Sequence, residues 1–213
     1  MQLVKEFSKI MQGEFEMSLM GELSYFLGLQ IKKLNKGTFV CQTEYCNELL
    51  KIFGMEDEKL IDTPMPTNGN LEINENGKDV DVNKYRAIIG FILYLTASRP
   101  DIMFSVCICA HHESAPKESH LKSIKCILRY LNGTSKYGLW YSKGIDFNFV
   151  GYTSSNFSSC KSDRKSTSGT LHMFSNALVI WHSKKQVYVA LSTTEAEYVA
   201  AGSCCAQIVW LKQ

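Results

Sequence analysis

No stretch of this 213-residue sequence approaches the roughly 20 uncharged apolar residues that a membrane span needs. The opening MQLVKEFSKIMQGEFEM carries acids through its apolar positions, which a secretory signal does not. The expectation is an intracellular protein, cytoplasmic or nuclear, with no membrane partner. The eight cysteines contain no CxxC pair, and neither Cys107/Cys109 nor the adjacent Cys204/Cys205 has zinc-finger spacing or easy disulfide geometry. Buried free thiols are therefore expected in place of a metal site. Charge is moderate, 21% of residues against 45% hydrophobic. That excludes disorder and supplies apolar material for one or two compact domains. The last scarcity is local: GYTSSNFSSC, Gly151 to Cys160, holds no acid.

The net charge of +2 hides an asymmetry. Residues 1 to 78 hold 8 Lys and Arg against 12 Asp and Glu, whereas residues 79 to 213 hold 15 against 9. A polyanion would bind the second part.

Apolar spacing organises the chain. Leu3, Phe7, Ile10, Met11 and Phe15 form the stripe of an amphipathic helix over 2–18, and LSYFLGLQIKKLNKGTFVCQ predicts a hairpin turning at Asn35-Lys36-Gly37. Thr43 to Phe53 predicts a short helix capped by Thr43 and ended by Gly54, and the Asn- and Pro-rich 63–82 a linker. Helices are expected from Lys84 to the Ser98-Arg99-Pro100 break, across DIMFSVCICAHHE, and over Leu121 to Leu131 with Gly133 as its stop. On the last of these, Lys122, Lys125 and Arg129 lie off the apolar face. From Leu139 the period becomes two. GLWYS, DFNFVGYTS, GTLHMFS and LVIWHSK predict four strands of a consecutive antiparallel meander. A final helix starts near Thr193 with a capping box, in which Ser192 accepts from the Glu195 amide and Glu195 reaches back to the Ser192 amide. Glu195 thus has a structural role; Glu197 is left without one.

Strands followed by a helix that presents a carboxylate near its first turn suit a two-metal nuclease, whose ions about 4 Å apart need several carboxylates. The segments KESHLKSIKCILRYLNGTSKYGLWYS, SDRKSTSGT, WHSKKQ and ALSTTEAEYVAA resemble the end of the Pol polyprotein of copia-type LTR retrotransposons, in the order connection then RNase H. MGELSYFLGLQIKK, QTEYCNELLKIFGM, TPMP and YRAIIGFILYLTASRPDI resemble the part just after the reverse transcriptase active site. The resemblance covers nearly the whole chain. It implies a mixed α/β fold: a reverse transcriptase C-terminal segment with linker over 1–78, a helical connection over 79–138, and an incomplete RNase H-like antiparallel meander and helix over 139–213.

Departures from the family pattern set the functional expectation. Where the family shows a Gly-Tyr-x-Asp-Ala-Asp type of motif, this chain has Gly151, Tyr152, Thr153, Ser154, Ser155 and Asn156. Ser154 and Asn156 thus occupy the acidic positions, and a neutral hydroxyl is a poor ligand for ions that demand carboxylate oxygen. Glu197 matches the family's helix glutamate and is expected to be vestigial. The family's other catalytic acids follow that helix, and its paired polymerase aspartates precede Leu3. The resemblance therefore implies an inactive remnant with no resident cofactor, although the intact family uses Mg²⁺. The expected partners are an RNA/DNA hybrid or other nucleic acid, held by Arg164, Lys165, Lys184, Lys185, Lys122, Lys125 and Arg129. Self-association through an open sheet edge is the alternative. Asp163, beside Arg164 and Lys165, is expected in a surface ion pair, and His111-His112 in a surface or partly buried role instead of a metal site.

Overall fold

The first helix, α1, spans Gln2–Glu14 and has the expected apolar stripe, but none of its residues is buried: Leu3, Phe7 and Ile10 all face solvent. The computed structural model describes residues 2–18, 21–65, 77–144, 148–160 and 163–213. The central part of the expected linker, 66–76, and the expected strand start at 146 and 147 lie outside them.

The hairpin forms as the turn chemistry requires. Strands β2 (Leu29–Leu34) and β3 (Gly37–Cys41) close on the Leu34–Gly37 pair, so Asn35 and Lys36 are the turn. A two-residue strand β1, Tyr25–Phe26, adds to β2. Helix α2, Thr43–Ile52, is preceded by Gln42 and not capped by Thr43. The Gln42 side chain is taken by tertiary contacts, donating to Tyr94 O at 3.2 Å and accepting from Ser98 Oγ at 2.7 Å. Gly54, at φ +61°, ends the helix turn as expected.

Helices α3 (Val82–Leu95), α4 (Met103–Ala110) and α5 (Glu118–Thr134) pack with α2 around Leu49, Ile89, Ile92, Ile102, Val106, Ile124 and Leu131, all buried. Asp81 caps α3 by accepting from the Asn83 and Lys84 amides. A 3-10 turn, Pro100–Ile102, links α3 to α4. Helix α5 runs through Gly133, contrary to expectation, because a side chain completes its end. Arg99 Nη1 donates to Thr134 O at 2.9 Å and Nη2 to Thr134 Oγ1 at 2.7 Å.

The four-strand meander is corrected to three. Strand β4, Gly138–Ser142, pairs antiparallel with β3, with Phe39 opposite Trp140, and so completes the sheet β1-β2-β3-β4. Glycine permits this pairing, since a Cβ at Gly138 would collide with Val40 O. Period-2 patterning marks a strand but does not name its partner. The second sheet holds β5 (Phe149–Asn156), β6 (Thr167–Phe174) and β7 (Ala177–Lys185) in sequence order. Helix α6, Thr193–Leu211, crosses one face of it and buries Ala196, Ala200 and Cys204. The other face meets α4, and the Trp181 indole donates to Thr96 O at 2.9 Å.

Candidate functional site

Ser154, Asn156 and Glu197, the positions singled out by the resemblance, fall on β5 and α6, which approach closely because position 151 is glycine. A Cβ there would lie 2.5 Å from Ile208 Cδ1 and 2.6 Å from Cys204 Sγ. The helix start is set by Ser192, whose hydroxyl accepts from the Glu195 amide at 3.1 Å. Glu195 reaches back one residue further than expected, accepting from the Leu191 amide at 2.7 Å. Glu197 is exposed, and its Oε1 accepts from the Ser155 amide at 3.0 Å. Among the described residues β5 pairs only with β6, so this carboxylate occupies an amide of the outer edge of β5.

Strand alternation separates the other two positions from that helix. Gly151, Thr153 and Ser155 share the α6 face, so Tyr152, Ser154 and Asn156 belong to the opposite one. Ser154 lines a cavity of about 240 Å³ between β5–β7 and α4. The fit to the Mg²⁺ pair of the intact family fails on this chemistry. One carboxylate, already bound to an amide, stands with a hydroxyl and a carboxamide where several carboxylates are needed. Among the described residues, no group of three or more His, Cys, Asp and Glu is arranged to hold a metal ion.

The basic residues fall into two groups. On α5, Lys122 and Lys125 are exposed, but Arg129 clasps Glu58, with Nη2 2.7 Å and Nε 3.0 Å from Oε2. In the second sheet Lys184 and Arg164 are exposed, and Arg164 adopts φ +57° in the turn before β6. Asp163 does form an ion pair. Its partner is Lys185, 2.6 Å away, while Lys165 contributes only its backbone amide at 3.2 Å. Burial opposes ionisation of Asp163, but hydrogen bonds from Lys185 and Cys160 outweigh it and hold the carboxyl at about 2. Lys185 is thus already compensated.

The paired histidines are partly buried. His112 stacks on His120 with ring centroids 3.9 Å apart. Burial, with His120, His111 and Lys185 adding to it, pulls His112 down to about 4. All eight cysteines are free thiols, with Cys41, Cys46, Cys109 and Cys204 buried and Cys205 exposed.

One polar network escaped the sequence reading. Arg99 is 2% exposed and its Nη2 lies 2.7 Å from Asp101 Oδ2, which also accepts from the Tyr130 hydroxyl at 2.8 Å. Its signal is the charged pair flanking Pro100 in ASRPDI, a proline that by itself predicts only a helix break.

A three-stranded antiparallel meander crossed by a helix, behind a helical layer and an N-terminal antiparallel sheet, is consistent with a reverse transcriptase and RNase H-like region. The family profile described as Reverse transcriptase (RNA-dependent DNA polymerase) matches residues 1–67. The chain belongs to the Pol polyprotein family of copia-type LTR retrotransposons. It is 35% identical to the "Uncharacterized mitochondrial protein AtMg00810" of Arabidopsis thaliana, over 92% of this chain and 81% of that protein. It is 34% identical to the retrovirus-related Pol polyprotein from transposon RE1 of Arabidopsis thaliana, over 89% of this chain and 13% of that one. With the Pol polyprotein from transposon TNT 1-94 of Nicotiana tabacum it shares 32% identity over 93% of this chain and 16% of that one. The chain thus spans a small part of the polyproteins it matches. No solved structure matches it. Among the described residues no helix is long and apolar enough to cross a membrane.

Proposed function

We propose that this chain is a catalytically inactive Pol-derived segment that binds nucleic acid, with an RNA/DNA hybrid as the preferred form, inside the cell. The observation that carries the inactive part is the state of the acidic positions. Ser154 and Asn156 are neutral, and Glu197 is committed to the Ser155 amide. The division into a reverse transcriptase C-terminal segment (1–78), a connection (79–138) and an RNase H-like part (139–213) belongs to this reading, with β4 joining the first sheet. Binding rests on Arg164, Lys165 and Lys184 beside β5–β7 and on Lys122 and Lys125 of α5. Lys185 and Arg129 contribute less, because each is paired with a carboxylate. Fluorescence anisotropy of a labelled hybrid, titrated with salt and competed with duplex DNA, tests it. Hybrid preference with a steep salt slope is expected; absence of binding by folded protein overturns the binding part, and Mg²⁺-dependent cleavage lost in Glu197→Gln overturns the inactive part.

A second reading, an assembly piece without nucleic-acid affinity, is favoured by α1, whose Leu3, Phe7 and Ile10 are more than half exposed, and by the outer edge of β5. Concentration-dependent oligomerisation without hybrid affinity supports it.

A further inference from the structure

We propose that the cavity between α4 and the β5–β7 sheet is a binding site for a small, neutral, planar aromatic heterocycle of indole or purine size. Its walls are Pro100 of the 3-10 turn, Met103 and Phe104 of α4, and Tyr152, Leu171 and Trp181 of the sheet. Three of these six carry flat π-faces, which suit a ring that stacks or meets them edge to face. The Trp181 ring is held in place, because its N–H is already given to Thr96 O. No Asp, Glu, Lys or Arg lines the space, so an ionic ligand would lose its hydration without compensation. About 240 Å³ admits a molecule of one or two rings and excludes most larger ligands.

A further observation marks room on the sheet wall that no side chain fills. Gly169, in the middle of β6, leaves a gap: a Cβ built there would meet only Ser154 O, at 4.0 Å. Its φ lies outside the left-handed region, so the backbone does not require glycine. Ser154, exposed at the β5 wall, offers a hydroxyl to a ring N–H or ring nitrogen at the ligand's edge. The same chemistry could arrive as a free heterocycle or as the base of a single strand.

The test is calorimetric titration of the full chain with indole and with adenine, and with cyclohexanol as a non-planar control. At least one aromatic probe is expected to bind, with cyclohexanol weaker by about tenfold or more. Gly169→Val fills the gap with a strand-favouring side chain and is expected to weaken the aromatic probe about tenfold or more while the melting temperature holds or rises. If Gly169→Val does not fold, Gly169→Ala serves. Absence of binding for both probes up to about 1 mM, equal binding of cyclohexanol, or indifference to the folded position-169 variant each overturns the proposal. Displacement of bound adenine by an oligo-dA strand assigns the source to a strand; failure to displace assigns it to a free molecule.

Discussion

The carboxylate of Glu197 and the backbone amide of Ser155 are joined by a 3.0 Å hydrogen bond that ties the first turns of α6 to the outer edge of β5. Glu197 therefore has a structural occupation in this chain. Replacing Glu197 by Ala removes a charge-assisted bond at an exposed site and is expected to lower unfolding free energy by about 1 kcal/mol. Hybrid affinity should not fall. Urea denaturation followed by anisotropy checks both, and an affinity loss beyond the stability loss would give Glu197 a binding role.

Arg99 and Asp101 form the costliest pair to break. With the guanidinium 2% exposed, Asp101→Asn leaves a buried cation without its counter-charge, and a loss of about 3 to 5 kcal/mol is expected. Tyr130→Phe, which removes only one hydrogen bond to Asp101, should cost about 1 kcal/mol. Burial favours the neutral Asp101, yet the Arg99 bonds hold its carboxyl below the usual range. Its stabilisation is thus present above the ordinary carboxylate pKa and is lost as pH falls below it.

Acid should act on this protein in two stages. His112 titrates at about 4 when folded against an ordinary 6.5, so the unfolded chain binds the proton first and stability falls as pH drops from 6.5 towards 4. Asp163, at about 2 against an ordinary 3.8, adds a second loss between those values. His112→Gln should reduce the upper stage, to which His111 and His182, also held below the ordinary imidazole value by burial, contribute, and leave the lower one. Chemical denaturation at a series of pH values separates them.

The Asp163–Lys185 pair makes a prediction of unusual sign for a loss of function in one side chain. Asp163→Asn removes a negative charge and releases Lys185, so hybrid affinity should rise and the log–log salt slope steepen by about one phosphate contact. Lys184→Ala should shift both in the opposite direction. A salt series of anisotropy titrations decides between them.

Much of the architecture was legible because it is local. The Asn35-Lys36 turn, the α6 cap at Ser192 and the helical faces of α3 and α5 follow from turn chemistry, capping and period. Trp181 and Arg99 show the limit, since the carbonyls they reach, on Thr96 and Thr134, are 85 and 35 residues away. Glycine usually closes helices, which predicts a stop at Gly133, and a distant guanidinium makes that closure unnecessary.

The candidate site divides the same way. Residue identity alone placed neutral side chains at 154 and 156 and a glutamate at 197, because whether a side chain carries an ionisable group is fixed by its chemistry. Which sheet claims β4, which amide occupies Glu197, which lysine Asp163 neutralises and where Gly169 leaves room were decided by tertiary structure. Each is a contact between residues far apart in sequence or a gap between packed elements, and neither periodicity nor composition carries that information.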